Sequence, residues 1–84
     1  MKVVFAEQGW DDFNYWVEHD RKIAKRIIRL IKDIECEPFE GLGKPEPLKH
    51  DLSGFWSRRI TEEHRLVYAV DKSQILVAQA RYHY

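Results

Sequence analysis

Apolar residues at the start of the chain repeat at spacings typical of a strand followed by a helix. Residues 2–6 form a short β-branched and aromatic run, which predicts a first strand. From about residue 7 to residue 18, apolar side chains recur every three or four positions, which predicts a first helix. This stripe consists of Trp10, Phe13, Trp16 and Val17.

A second helix is predicted after Asp20, because an aspartate there can accept hydrogen bonds from the first N–H groups of the helix. Its apolar stripe consists of Ile23, Ile27, Leu30, Ile31 and Ile34. The opposite side carries Lys22, Lys25, Arg26, Arg29 and Lys32 at helical spacing. We therefore expect this helix to pack on one face and to present cations on the other.

The helical pattern ends near residue 37, and prolines and glycines make residues 37–49 a stiff loop. Three later runs, residues 54–61, 64–71 and 74–84, predict strands separated by short turns. They are expected to form an antiparallel meander. The order strand, helix, helix and three strands predicts an α+β fold in which both helices pack on one face of an antiparallel sheet.

Length and composition narrow the possibilities. We expect one domain over residues 1–84. A chain of this length buries only about 60–65% of the surface of its unfolded form, which leaves enough buried surface for one compact core. The single cysteine, Cys36, excludes an internal disulfide. No apolar run approaches the roughly 20 residues that span a bilayer, and the amino terminus is charged too early for a signal peptide. A cytoplasmic protein without membrane association is expected.

The formal net charge of zero conceals a separation of charge along the chain. The charged residues from Glu7 to Asp20 are all acidic, whereas the six charged residues from Arg21 to Lys32 are all basic. Such a distribution can focus a positive potential on one surface even when the sum is zero.

The last strands contain polar residues at positions that a sheet would otherwise fill with apolar ones: Arg58, Arg59, Arg65, Arg81 and the terminal pair His83 and Tyr84. Since one sheet face packs on the helices, the other can collect these cations. Strand alternation puts Arg81 and His83 on the side of Val77 and Gln79, and Arg65 on the side of Val67. Whether Arg59 joins Arg65 depends on the hairpin register, which the sequence leaves open.

Arginines, a histidine and a carboxylate on a rigid loop are the groups that RNA cleavage without a metal requires. One group takes the proton of the ribose 2′-hydroxyl, another protonates the 5′-oxygen leaving group, and a cation stabilises the phosphorane. The histidines and Cys36 lack metal-ligand spacing, so neither a metal nor another cofactor is expected.

Each of these positions also has a simpler structural explanation. Glu46 resembles a solvated loop acid, and His83 and Tyr84 a frayed terminus. Arg58 and Arg59 are suited to protecting an edge strand from aggregation. Cations on one side of a helix commonly face solvent and bind nothing.

A longer motif distinguishes between these explanations. It comprises Gly43-Lys44-Pro45-Glu46-Pro47-Leu48-Lys49 with its flanks over residues 37–60, then Glu63-His64-Arg65-Leu66-Val67-Tyr68, and finally Arg81-Tyr82-His83-Tyr84. With Trp10-Asp11-Asp12, it resembles the Txe/YoeB family of bacterial toxins over essentially the whole chain. That family belongs to the RelE superfamily of ribosome-dependent mRNA interferases, which implies a RelE-type, microbial-ribonuclease-like α+β fold.

The resemblance implies a role for each matching residue. The catalytic set is Glu46 as general base, His83 as general acid, Arg65 as transition-state stabiliser and Tyr84 as the terminal tyrosine that orients or stacks on substrate. Lys49 and Arg59 match phosphate-binding positions. Because neighbouring strand residues point to opposite faces, the carboxyl end must bend if His83 and Tyr84 share one site. The cations of the second helix lie on a separate element, so we assign ribosome docking to Lys22, Lys25, Arg26 and Arg29.

The resemblance also implies partners: mRNA in the A site of the 70S ribosome, a cognate YefM/Phd-type antitoxin, operator DNA through the toxin–antitoxin complex, and a second copy in a homodimer. Two alternatives stay open. One is a non-catalytic toxin on the same scaffold, comparable to the ParE toxins that act on gyrase. The other is a ribosome- or RNA-binding module whose whole function lies in the basic helix.

Overall fold

The structure is a computed structural model and describes residues 1–83. Its elements in chain order are β1 (Lys2–Phe5), α1 (Glu7–His19), α2 (Arg21–Cys36), β2 (Glu46–Pro47), β3 (Trp56–Arg59), β4 (Arg65–Val70) and β5 (Gln74–Gln79). Both predicted helices and all four predicted strands are confirmed, although the last strand ends earlier than expected. The two-residue strand β2 lies inside the predicted loop. Within residues 1–83, no helix is long and apolar enough to cross a bilayer.

The strands form one sheet in the order β1-β5-β4-β3-β2. The meander of β3, β4 and β5 is antiparallel as predicted, and β2 adds to it antiparallel to β3. The α+β fold is confirmed, but the sheet is mixed, because β1 lies parallel to β5 from Lys2 opposite Gln74 to Phe5 opposite Val77. The direction of β1 is set by its long-range pairing with the last strand, which local periodicity does not encode.

Both helices pack against the sheet through their apolar stripes, except that Trp10 of α1 is about half exposed. From α2, Ile27, Leu30 and Ile34 are fully buried in a core that includes Leu66 and Tyr68 of β4, with Ile75 and Val77 from β5. The predicted cap is present, since the Asp20 carboxylate accepts from the backbone N–H groups of Lys22 and Ile23. Helix α1 approaches β5 so closely at Gly9 that a Cβ there would collide with the Val77 carbonyl oxygen.

A β-bulge changes which residues of β5 share a face. Tyr68 pairs with Val77 whereas Val67 pairs with Gln79, so Ala78 is an extra residue in β5. The predicted alternation was therefore wrong for Val77, which is buried in the core, whereas Gln79 lies with Val67 on the opposite face.

The expectation that Arg58 belongs to an exposed cationic face or edge was also wrong. Arg58 pairs with Leu66, whose side chain is in the helix-facing core, and the arginine is completely buried. Its neighbour Arg59 points the other way and is exposed. Of these two adjacent arginines, one is structural and the other is available to a ligand.

Candidate active site

The β3–β4 hairpin brings two arginines side by side. Arg59 pairs directly with Arg65, which settles the register that the sequence left open, and both lie on the face opposite the helices together with Ser57 and Val67. Like charges directly opposite each other in a sheet are destabilising. A bound anion would relieve this repulsion, which makes the end of the hairpin a candidate anion site.

The turn of the hairpin fixes the orientation of the Arg65 guanidinium. Its Nη1 donates to the carbonyl oxygens of Thr61 at 2.8 Å, Glu62 at 3.0 Å and His64 at 3.1 Å. The turn itself is closed by the Thr61 hydroxyl, which accepts from the N–H groups of Glu63 and His64. Held at one nitrogen, the guanidinium keeps a fixed direction without losing its charge.

The loop after α2 places a carboxylate beside these arginines. Glu46 of β2 pairs with Ser57, and Leu48 N–H donates to the Phe55 carbonyl at 2.9 Å. Pro45 and Pro47 flank the glutamate, and a proline fixes its own φ near −65°. The short strand β2 therefore limits how far the exposed Glu46 side chain can move.

Buried Arg58 binds the backbone of the part of this loop that precedes Glu46. Its guanidinium donates to the carbonyl oxygens of Glu37 at 2.6 Å, Glu40 at 2.8 Å and Leu42 at 3.1 Å. It also forms an ion pair with the Asp33 carboxylate of α2. We describe these groups, with the Tyr68 hydroxyl that accepts from Arg58 Nε at 3.1 Å, as the Arg58 network.

Two pKa values reflect this network. The Leu42 N–H and then the Arg58 guanidinium, as hydrogen-bond donors to the Asp33 carboxylate, hold the pKa of Asp33 below its usual range. Burial raises the pKa of Tyr68, whose hydroxyl donates to the Pro38 carbonyl. The loop is thus tied to both a helix and a strand before it reaches Glu46.

Residues 80–83, which we call the tail, continue from β5 and are anchored on α1. Asp12, itself buried, accepts from Ala80 N–H at 2.9 Å, and the Trp16 indole donates to the Ala80 carbonyl at 2.8 Å. The Arg81 guanidinium lies over the Tyr15 ring, 3.5 Å from its centroid. Ala80 and Arg81 therefore attach the start of the tail to α1.

The tail bends at Tyr82. The φ angle of Tyr82 is +61°, its N–H donates to His64 Nδ1 at 2.8 Å, and its carbonyl accepts from Arg65 N–H at 3.0 Å. The bend redirects His83 towards the arginines. Tyr84, the remaining catalytic residue that the resemblance implied, lies outside the described residues.

These elements enclose a polar cavity of about 140 Å³. It is lined by Lys44, Glu46, Ser57, Arg59, Arg65 and His83. Four residues proposed from the sequence therefore meet: Glu46, Arg59, Arg65 and His83. Lys49 does not line this cavity but a neighbouring groove of about 490 Å³, formed by residues 46–52 and sharing Glu46.

Three contributors were not assigned a site role from the sequence. Lys44 belongs to the family motif but was given no role, and its φ of +51° is a backbone irregularity that composition does not reveal. Ser57 gave no signal of its own. Asp12 stands four residues before Trp16 and is buried with it on α1. An acid at helical spacing from an apolar residue was the sequence signal that could have indicated a structural role for Asp12.

Backbone strain is concentrated around this cavity and groove. Among residues 1–83, the non-glycine residues with positive φ are Lys44, His50 and Tyr82. The first lines the cavity, the second lines the groove, and the third directly precedes His83. Such conformations cost of order 1 kcal/mol or more each and tend to occur at functional sites.

The structure also locates the other predicted features. Lys22, Lys25 and Arg29 are exposed on α2, whereas Arg26 is half-buried and donates to the Arg59 carbonyl at 3.4 Å. Within residues 1–83, no group of three or more histidine, cysteine, aspartate or glutamate side chains is placed to hold a metal ion.

Comparison with known proteins identifies the family to which this fold belongs. Residues 5–84 match the family model for the YoeB-like toxin of bacterial type II toxin–antitoxin systems. Toxin YoeB of Escherichia coli K12 is 64% identical over 84 residues, with 100% of both chains covered. The YoeB dimer of Staphylococcus aureus superposes with a TM-score of 0.95 at 45% identity, and the match covers 100% of this chain and 98% of the other. The heterotetrameric YoeB–YefM complex from the same organism gives 0.93 at 45% identity and the same coverage.

The chain is therefore a toxin of a bacterial type II toxin–antitoxin system. Within that class it belongs to the YoeB toxin family, as its sequence motifs indicated.

Proposed function

We propose that this toxin is a metal-independent endoribonuclease that cleaves mRNA in the ribosomal A site and so inhibits translation. The observation that carries the proposal is the convergence of Glu46, Arg59, Arg65 and His83 on one cavity from three separate parts of the chain. A carboxylate, a histidine and two arginines supply a base, an acid and fixed positive charge around one phosphate.

In the proposed reaction, Glu46 takes the proton of the ribose 2′-hydroxyl as that oxygen attacks the adjacent phosphorus. The phosphorus–O5′ bond breaks, and His83 gives a proton to the departing 5′-oxygen. Arg65 stabilises the negative charge of the phosphorane, Arg59 and Lys44 hold phosphate oxygens, and Lys49 binds the RNA backbone in the groove. Tyr84 completes the set by stacking on or orienting the substrate. The products are a 2′,3′-cyclic phosphate and a 5′-hydroxyl end.

The ribosome supplies the geometry that so shallow a site lacks. Attack has to be in line with the departing oxygen, and orientation is a large part of the barrier to such a reaction. The Staphylococcus aureus relative was solved as a dimer and with YefM. We extend both assemblies to this chain, with a YefM-type antitoxin that neutralises it and brings the complex to operator DNA.

The chemistry of the cut ends tests the proposal. Ribosomes stalled with a defined A-site codon should yield an upstream fragment ending in a 2′,3′-cyclic phosphate or its 3′-phosphate hydrolysis product. A phosphorothioate at the scissile phosphate should show no rescue by thiophilic metals, which separates the chemical step from the magnesium that the ribosome needs. A 3′-hydroxyl product or metal rescue would refute the mechanism, and inhibition without new 5′-hydroxyl ends would favour a non-catalytic module.

A second prediction concerns the exposed cations of α2, to which we assign ribosome docking. Changing Lys22, Lys25 and Arg29 to Gln should weaken ribosome association and flatten its salt dependence. With fewer phosphate contacts, binding releases fewer counterions. Codon preference and the position of the cut should not change. Arg26 is tested as a separate Gln variant, because its bond to the Arg59 carbonyl links it to the cavity wall.

Single-turnover cleavage at saturating ribosomes decides between docking and chemistry. A restored rate in the triple variant supports docking, whereas a rate still depressed at saturation would mean that α2 helps to build the active geometry. Changing Lys2 and Lys72 to Gln removes two exposed cations outside this helix, and its match at equal net charge is the double change of Lys22 and Lys25 to Gln.

A further inference from the structure

His64 occupies the space between α1 and the tail. Its ring packs edge-to-face on Trp16, with centroids 4.8 Å apart, and lies tilted against Tyr82 at 5.4 Å. The His64 carbonyl accepts from Ile60 N–H at 2.9 Å, which closes the hairpin turn below the ring. The position of this half-buried side chain is thus set by packing on both sides and by the backbone that carries it.

The hydrogen bond from Tyr82 N–H to His64 Nδ1 defines the state of the ring. A backbone N–H is only a donor, so Nδ1 has to offer its lone pair, and this geometry requires Nδ1 to carry no proton. The next residue of the chain, Arg65, donates from its backbone to the Tyr82 carbonyl. Both backbone polar groups of Tyr82 are therefore held by His64 and Arg65.

These two bonds support a conformation that the tail would not favour alone. A left-handed φ of +61° is unfavourable for a tyrosine by roughly 1–2 kcal/mol. The bend at Tyr82 directs His83 into the cavity that also contains Glu46 and Arg65. Loss of the bond to His64 removes one of the two hydrogen bonds that hold the Tyr82 backbone.

We propose that His64 is a positioning residue whose neutral ring holds the tail in the conformation that places His83 at the scissile phosphate. The proposal rests on the cleavage function proposed above. Protonation of Nδ1 would set an N–H against the Tyr82 N–H and abolish the bond. The Tyr82 N–H is then bound only when Nδ1 carries no proton, while the bonds from α1 to Ala80 and from Arg65 to the Tyr82 carbonyl remain.

Other charged groups lie near the ring. From the tail, the Arg81 guanidinium lies 6.0 Å from the Trp16 centroid and 4.7 Å from that of Tyr82, the two rings on which His64 packs. From α1, Asp12 accepts from Ala80 N–H. Arg65 and Glu63 flank His64 along the chain. The arginines keep their charge over the whole pH range, because arginine does not lose its proton in proteins. Asp12 and Glu63 are present in all the variants compared below, so they cannot cause a difference between those variants.

Two substitutions separate the acceptor from the ring. His64→Phe keeps an aromatic ring between Trp16 and Tyr82 but has no acceptor. His64→Asn loses the ring but can place an amide oxygen where Nδ1 lies. The Tyr82 amide protection factor, measured by NMR on the isolated protein, and single-turnover cleavage on programmed ribosomes are followed for both. We expect the Phe variant to lose the protection and to cleave roughly 10- to 100-fold more slowly, as a small misplacement of an acid does, whereas the Asn variant stays close to wild type.

The pH dependence of the Tyr82 protection factor distinguishes this role from a purely structural role of His64, which would not depend on the proton at Nδ1. In the wild type the Tyr82 protection factor should fall when acid protonates Nδ1, and in His64→Asn it should not, because the amide does not take up a proton. This comparison decides the proposal even if His64→Phe fails to fold. Equal losses in both variants at neutral pH, or a protection factor that falls equally with acid in wild type and His64→Asn, would overturn it. Absence of any cut by the wild type would instead refute the proposed function, since Tyr82 protection is measured without RNA.

Discussion

Replacing Glu46 with Gln is expected to lower single-turnover mRNA cleavage by about 10²- to 10⁴-fold, because an amide has the shape of the carboxylate but cannot take the 2′-hydroxyl proton. Within residues 1–83, no hydrogen bond or ion pair uses the Glu46 side chain, so the fold should not depend on it. Glu40→Gln makes the same charge change in the same loop, and only the Glu40 backbone is bound by Arg58. That control should cleave normally.

His83→Ala is expected to lose activity over the same range, about 10²- to 10⁴-fold, because the 5′-oxygen then departs without a proton. The two roles can be distinguished by replacing the bridging 5′-oxygen of the substrate with sulfur, a leaving group that needs little protonation. This substrate should restore much of the rate of His83→Ala but not that of Glu46→Gln. Circular dichroism and ribosome pelleting establish that both variants still fold and bind.

Full cleavage by both variants would refute the assignment of base and acid. If the sulfur substrate rescued both variants equally, the leaving-group step would not distinguish the two residues, and His83 would not be the acid. Unfolding of either variant would indicate a structural role for that residue instead.

The helices, the strands and the Asp20 cap could be predicted because each depends on neighbours a few residues away. The apolar stripe of α2 and the N-cap are local patterns, and the structure shows both. The direction of β1 and the bulge at Ala78 could not be predicted from local patterns, since each depends on residues distant in the sequence. Because simple alternation takes no account of this bulge, it placed Val77 on the wrong face of the sheet.

The adjacent residues Arg58 and Arg59 show the same limit for the site. Strand alternation requires them to face opposite sides but does not say which arginine is buried. The partners that select Arg58 are Asp33, 25 residues earlier, and the loop carbonyls. The residue types in the candidate site were apparent from composition, but their convergence was implied only by the family motif until the fold brought Glu46 and His83 to one cavity.

Loss of the Arg58 network is expected to destabilise the fold strongly. Arg58→Met should lower the free energy of unfolding by about 3 kcal/mol, because the buried guanidinium donates to several partners that then lose their donor. Those partners are the Asp33 carboxylate and the carbonyl oxygens of Glu37, Glu40 and Leu42. Arg59→Met removes the same group from the exposed neighbour and should change stability by no more than about 0.5 kcal/mol.

Urea unfolding as a function of pH tests whether this loss arises from the ion pair. The pKa of Asp33 is lowered in the folded state, so its ionised form stabilises the protein above the usual pKa of an aspartate, about 3.9, and this contribution is lost as the pH falls through the lower folded-state pKa. In Arg58→Met the carboxylate keeps the Leu42 N–H but loses the guanidinium. The difference in free energy of unfolding between wild type and Arg58→Met should therefore be largest near neutral pH and narrow below about pH 4. A difference that stays constant with pH would attribute the loss to the carbonyl oxygens and packing alone, and a difference below 1 kcal/mol at neutral pH would contradict the role of Arg58 in holding the Glu46 loop.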